Sequence, residues 1–273
     1  MGNKISLEEL KKIELNTLID VHNLCEELGL RYSLAGGTLL GAIRHGGFIP
    51  WDDDIDIIMP RTDYNKLIEY CQNNTTPFRL VCNETVNTYG YLFAKAVNPN
   101  TVIIEDTINR SNVEMGIYVD IFPVDGLADD FESAKEKFNE HRIRRELLVA
   151  YNWKHFFRSK TRSIIYEPIR LACYIISRFI DPQKMINKIQ KQYAPENFDK
   201  CKYSASICGV YRTKEIIETQ VYSEYRDIVF EGKTFKAMKN CEIYLEHLYG
   251  DYMQLPPEDK RVSHHMFKAY WKD

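Results

Sequence analysis

The sequence predicts an α/β protein whose front half mixes strands with helices and whose back half is mostly helical. Three observations carry that reading. A long, well-capped amphipathic pattern opens the chain; short apolar runs bounded by Gly, Pro and Asn follow as far as residue 122; and from residue 129 the apolar spacing turns helical, broken near Pro168, Pro182, Pro195 and Pro256-Pro257.

In order, Ser6-Leu7-Glu8-Glu9 reads as a capping box in which hydroxyl and carboxylate satisfy each other's backbone donors. Apolar residues then recur at helical spacing to Leu28, and Gly29 supplies the stop. Residues 31–35 form a short strand ending at Gly36-Gly37, and residues 38–43 fit one or two helical turns before Gly46-Gly47 and Pro50. Residues 54–59, Asp-Ile-Asp-Ile-Ile-Met, alternate acid with aliphatic and then run apolar, as in a strand with one reactive and one buried face. Thr62 is placed to cap a helix through Cys71, and strands are expected at 78–82, 91–97, 101–105 and 116–122. The domain reading is a catalytic core over 1–128, completed by a mainly helical region over 129–273 as one unit.

Composition narrows the function classes. Lys and Arg number 36 against 39 Asp and Glu, a formal charge of −3, which gives no overall case for a nucleic-acid binder. At 44% hydrophobic and 12% aromatic, the chain can form a packed interior, so disorder is excluded. No secretory leader or membrane-spanning run is visible, and Met1-Gly2 with Ser6 meets only the bare myristoylation pattern. The seven cysteines are scattered with no C-x-x-C, as in a reduced cytosolic protein rather than a disulfide framework or zinc knot.

The chemistry concentrates between Gly36 and Asp56. Four contiguous-to-near carboxylates, Asp52, Asp53, Asp54 and Asp56, repel one another unless a cation or solvent relieves them. On a strand, Asp54 and Asp56 share a face with Cα atoms roughly 6.5 Å apart, a spacing at which two hard oxygen ligands can share Mg²⁺ with substrate phosphates. Gly36-Gly37 allows close backbone approach to a phosphate, Thr38 adds a hydroxyl, and Arg44 and His45 are candidate phosphate contacts. A solvated acidic turn is the plainer alternative for the acids alone; the combination favours a metal–phosphate site. Residues 41–46 have P-loop glycine spacing, but Gly47 and Phe48 stand where Lys and Ser/Thr are required, and the acids do not follow an EF-hand loop.

At GGTLLGAIRHGGFIPWDDDIDIIMPRTDY, from Gly36 to Tyr64, the sequence closely resembles the LicD family, which includes phosphocholine transferases of bacterial surface glycans and is related to the fukutin-related ribitol-phosphate transferases. EMGIYVDIFPVDGL, from Glu114, and YGDYMQLPPEDKRVSHH, from Tyr249, carry the same resemblance. The wider resemblance is to the nucleotidyltransferase fold, a mixed sheet with flanking helices, in which a Gly-Gly turn precedes an Asp-x-Asp strand and a later strand brings a third acid. That implies metal ligation by Asp54, Asp56 and Asp120, with Asp125 as the fallback third acid and Asp52 as a further active-site acid. Asp53 is expected to face solvent or cap the turn. The implied reaction transfers a substituted phosphate, phosphocholine foremost, from a CDP-linked donor such as CDP-choline to a sugar hydroxyl of teichoic acid, lipopolysaccharide or capsule, with Mg²⁺ (or Mn²⁺) bound and CMP leaving. Asp120 is either base or ligand. Nucleotidyl transfer, leaving NMP on the acceptor, and a silent glycan- or membrane-binding role are the alternatives.

Lys95, in an otherwise apolar strand, calls for a nearby anion or a snorkelling path to water. Arg261 is a candidate bidentate phosphate contact, with His264 and His265 as weaker candidates, and Trp51 with Tyr118 could wall a quaternary ammonium group. Residues 154–191 hold nine basic residues (Lys154, Arg158, Lys160, Arg162, Arg170, Arg178, Lys184, Lys188 and Lys191) against two acids, a formal +7, which leaves −10 on the rest of the chain. Ile165, Ile169, Ala172, Ile176 and Phe179 share one helical face, with Arg170 and Arg178 roughly opposite. Such a helix either lies on anionic lipid, which would place the protein on the inner face of the cytoplasmic membrane next to a lipid-linked acceptor, or packs on the domain.

Overall fold

The computed structural model describes residues 2–159, 163–193, 197–261 and 267–273. Helix α1, Leu7–Leu28, begins where the Ser6 hydroxyl accepts the Glu9 N–H and ends at Gly29 in the left-handed region, φ 63°. Only half of the expected capping box forms: the Glu9 carboxylate accepts the indole N–H of Trp271 at 3.1 Å instead. One face of α1 is buried through Leu10, Ile13, Glu14, Thr17, Leu18 and Val21, and Glu14 is the single charged residue in that stripe.

Strand β1 is short, Ser33–Leu34, and is followed by α2, Gly36–His45, β2, Asp56–Pro60, and α3, Arg61–Asn73. The Gly-Gly pair therefore opens a helix rather than forming a loop. Asp54 lies just before the regular strand, not within it as the alternation suggested. Thr62 does not cap α3, whose N-cap is Pro60; its hydroxyl accepts from Arg31 instead. Strands β3, Arg79–Val81, β4, Ala94–Val97, and β5, Thr101–Glu105, precede β6, Tyr118–Ala128, which is longer than the sequence pattern indicates.

The main sheet runs β1-β2-β6-β4-β3. Along that path only β2 and β6 are parallel, which makes the sheet mixed as expected. Helices α4, Phe131–Glu140, α5, Arg142–Tyr151, α6, Glu167–Ser177, α7, Pro182–Gln190, and α8, Cys241–Tyr249, form the helical back half. Pro168 and Pro182 stand in the first turns of α6 and α7, where a missing N–H costs nothing.

The back half also contributes strands. β7, Tyr203–Ala205, joins the far end of β6 and pairs with β8, Ile217–Glu218. β9, Tyr225–Phe230, and β10, Lys233–Met238, form a hairpin whose two turn residues, Glu231 and Gly232, both have positive φ. β11, Phe267–Trp271, pairs with β5. The largest core cluster joins α1, α2, α3, the main sheet, the β9–β10 hairpin and α8, so both halves close over one interior.

Candidate active site

The site is built where β2 and β6 run side by side. Their register sets Asp56 opposite Asp120, and pairing already begins one residue earlier, with the Asp120 N–H donating to Ile55 O at 2.9 Å. Through residues 52–56 exposure alternates, with Asp52, Asp54 and Asp56 on the more open side and Asp53 and Ile55 buried. Asp53 is thus turned inward, against the expectation of a solvent-facing acid, and lines a cavity of about 450 Å³ with Lys4, Ser6 and Lys268.

Helix α2 closes the open side. Thr38 is buried and its hydroxyl accepts the Asp56 N–H at 2.8 Å, so it braces the strand instead of reaching outward to a phosphate. The glycines act by what they leave out. A Cβ on Gly36 would stand 3.0 Å from Asp56 Oδ2, and one on Gly37 would fall well inside contact distance of Asp52 Oδ2. Gly36 also takes φ 52°, which L side chains rarely adopt. The pair thereby lets two of the protein's own carboxylates sit against the first turn of a helix, where partial positive charge favours anions.

Electrostatically, the cluster is under tension. Burial, then Asp54, Asp120 and Asp52, push the Asp56 carboxyl well above its usual range, with Lys95 opposing. Lys95 is the buried cation of the site. Its ammonium lies 2.5 Å from Asp120 Oδ1 and 3.4 Å from the centre of the Tyr118 ring, so the anion called for by its apolar strand is a protein carboxylate. Asp125, the fallback third acid, is committed elsewhere: 1% exposed, it receives Arg61 through two bonds of 2.7 and 2.8 Å.

One acid escaped the sequence reading. Glu14, 2% exposed on the inner face of α1, has an Oε2 with no hydrogen-bond partner. Burial first, and then Asp54, Asp53 and Asp120, drive its carboxyl well up, which places it close under the cluster. Its signal was available: a lone glutamate in an otherwise apolar helical stripe.

The other candidates form a second group. Arg44 donates to Tyr252 O at 2.8 Å and Arg261 to Pro256 O at 2.8 Å; the Arg261 guanidinium stands 5.5 Å from the Trp51 ring, which His45 meets edge-on at 6.3 Å. Both arginines therefore spend donors on loop carbonyls, and Arg261 and His45 stand beside Trp51. Trp51 lies beside the Arg261 guanidinium and Tyr118 beside the Lys95 ammonium. His264 and His265 lie outside the described residues.

Beside Asp120 opens a cavity of about 180 Å³ lined by Tyr89, Tyr91, Lys95, Glu105 and Tyr118. A larger one, about 510 Å³, shares Gly90, Tyr91 and Asn152 with it and reaches Arg142, Arg145 and Arg212. None of these arginines or pocket tyrosines, Tyr118 excepted, was marked in the sequence. Among the described residues no three His, Cys, Asp or Glu side chains converge closely enough to hold a metal ion as they stand. The donor chemistry is nevertheless that of a hard-cation site: oxygen ligands under mutual repulsion, with an Asp56 carboxyl that burial and the neighbouring acids push well up.

A mixed sheet carrying Asp-x-Asp at one strand, a third acid opposite on the parallel neighbour and a glycine-opened helix over both defines a nucleotidyltransferase-type catalytic domain. Comparison with known proteins makes this specific. Residues 29–162 match the family described as LicD/FKTN/FKRP, nucleotidyltransferase domain. The chain is 32% identical over 274 residues to the lipopolysaccharide cholinephosphotransferase LicD of Haemophilus influenzae, covering 98% of each protein. It is 31% identical over 103 residues to the mouse ribitol 5-phosphate transferase FKRP, covering 38% of this chain and 18% of that one. The human FKRP matches over 37 residues at 57% identity, 14% of this chain and 8% of that one. The chain belongs to the LicD family.

Proposed function

We propose that the protein transfers a phospho-alcohol, phosphocholine first among the candidates, from a CDP-linked donor to a hydroxyl of a cell-surface glycan in a Mg²⁺-dependent reaction that releases CMP. The observation that carries the reading is the register of Asp56 against Asp120, with Asp52 and Asp54 on the same side and α2 laid over them. The full-length likeness to a lipopolysaccharide cholinephosphotransferase supports phosphocholine as the transferred group and a glycan as the acceptor.

In this reading Asp54, Asp56 and Asp120 would hold the cation, which neutralises the donor's phosphates. The acceptor oxygen attacks the phosphorus that bears the alcohol, the bond from that phosphorus to the bridging oxygen breaks, and CMP leaves with the electron pair. Lys95 pairs with Asp120, which serves either as ligand or as acceptor of the hydroxyl proton. Arg44, His45 and Arg261 flank the site as anion contacts once their loop carbonyls release them. The acceptor is lipid-linked in this reading, and contact with anionic membrane through residues 154–191 belongs to it.

The test is CMP release against a panel of CDP-choline, CDP-ethanolamine, CDP-glycerol and CDP-ribitol, with and without chelator. One donor should be consumed, only with a divalent cation, and Asp54→Asn and Asp56→Asn should each lower turnover at least ~10²-fold. Cytidine retained on the product would show nucleotidyl transfer instead, and near-normal turnover in both variants would remove the acids from the chemistry.

A further inference from the structure

Among the described residues an exposed apolar surface runs along α6 and the turns at its two ends, and it is oriented the opposite way from an ordinary packed helix. Ile165, Ile169, Leu171, Ile175, Ile176 and Phe179 are 41–86% exposed. The charged side of the same helix points inward. Arg170 is 7% exposed, bonded to Glu167 and to Phe157 O, with its guanidinium 4.8 Å from the Trp153 ring. Arg178 donates to Trp153 O, Ala150 O and Tyr151 O, the end of α5 and the residues just after it. These two arginines pin the helix to the body by its polar face and leave the aliphatic face in water. A contiguous patch of that kind marks an interaction surface, because monomers rarely expose one larger than a few hundred Å².

We infer that this face is a docking surface for an anionic lipid bilayer, with α6 lying in the interface and its isoleucines and Phe179 among the acyl chains. Charge selects this occupant. Exposed Lys154 and Arg158 precede the patch, and exposed Lys184, Lys188 and Lys191 follow it, the last three at helical spacing on one side of α7. This is the stretch with formal charge +7 in a chain otherwise at −10. A second copy of the chain docked on the same face would bring two such basic rims together, which like-charge repulsion opposes. An anionic bilayer matches both components, apolar beneath and negative around. Of the arginines that sequence periodicity offered as the lipid-facing charges, Arg170 is buried and Arg178 half-buried, both engaged on the body side; the exposed lysines and Arg158 that flank the patch in sequence take that role.

The inference deepens the reading of a membrane-linked acceptor and rests on it for its biological sense, but its test reads binding alone. The full chain, without donor or acceptor, is sedimented with phosphatidylcholine vesicles containing 30% phosphatidylglycerol and with pure phosphatidylcholine. Partition to the anionic vesicles is expected, at least tenfold weaker for Ile169→Glu with Ile176→Glu, and weaker for Lys184→Glu with Lys188→Glu in a manner that high salt abolishes. Ile176→Trp should show a blue-shifted emission on adding anionic vesicles. All four positions are exposed, so circular dichroism and CMP release on a soluble acceptor serve as controls for folding. Absence of binding to both vesicle types, binding that the paired Ile variants leave unchanged, or an Ile-dependent dimer in place of vesicle binding would each overturn the inference. Vesicle binding by a chain that consumes no CDP-alcohol would preserve the docking surface and refute the reaction.

Discussion

Gly37→Ala adds one methyl group and isolates the role of close packing at the site. Gly37 lies within α2 without positive φ, so alanine fits the backbone and should favour the helix by up to about 1 kcal/mol. The added Cβ would overlap Asp52 Oδ2, with Cγ at 3.5 Å, and the carboxylate must retreat by about 1 Å to recover ordinary contact. Asp52 is half-exposed and can swing away, so the fold should not suffer. Misplacing a catalytic group by about 1 Å costs on the order of 10²-fold in rate. The expected result is a protein of equal or slightly higher thermal stability and roughly 10²-fold lower CMP release. A double-mutant cycle supplies the control: in an Asp52→Ala background, Gly37→Ala should cost little more, because its target is already gone. Near wild-type turnover, or full additivity in the cycle, would refute the idea that this glycine exists to admit Asp52.

Three further outcomes follow from the same geometry. In thermal melts, Mg²⁺ should stabilise the wild type, by about 2.7 kcal/mol at a hundredfold excess over its dissociation constant, while Asp56→Asn should be insensitive to the cation and, metal-free, more stable than wild type because a charge opposed by burial and three neighbouring acids is removed. Asp125→Asn should cost about 3–5 kcal/mol in urea unfolding by stranding the buried Arg61, and Asp120→Asn should lower turnover while also destabilising the fold, because it strands the buried Lys95. Glu215, buried and accepting the Tyr211 N–H, has its carboxyl pushed from 4.5 to about 7 by desolvation; the folded protein therefore binds the extra proton, and stability should fall by about 3 kcal/mol as pH rises through that window, a slope that Glu215→Gln abolishes.

How much of this was legible depended on whether the deciding contact was local. The limits of α1 follow from Ser6 and Gly29 themselves, and structure and pattern agree there to the residue. The short, half-apolar strands β7 and β8 carry no such marks; they exist because the long β6 offers them an edge, a partner some 80 residues away. The β9–β10 hairpin was marked only by Glu231-Gly232, a weaker turn pair than Asn-Gly or Asp-Gly. At the site, the alternation of acid and aliphatic from residue 54 put Asp54 and Asp56 on one face and Ile55 on the other, as their exposure shows, because period two holds even before the regular strand begins; Asp52 was marked by the family resemblance alone. The use of Gly36 and Gly37 was not legible, since a glycine signals a close approach without saying what approaches.

The inversion of α6 shows where periodicity stops being informative. The spacing of apolar residues fixes which side of a helix is greasy, and nothing in it says whether protein, lipid or water lies on that side. The partners that turn α6 over are the carbonyls of Ala150, Tyr151 and Trp153 and the rings of Trp153 and Tyr174. Backbone carbonyls have no sequence signature. An arginine that satisfies them can be buried at low cost, because its planar fork reaches several acceptors while an aromatic face covers it. The same residue in a helical-wheel projection looks like a surface charge. Near-neutrality of the whole chain hid the second half of the pattern, since the −10 that offsets the basic stretch includes the acids of the Asp52–Asp56 cluster. What the helix presents outward is therefore decided by contacts: its arginines are engaged on the body side, and the exposed lysines of the flanking segments, not those arginines, carry the outward charge of this stretch.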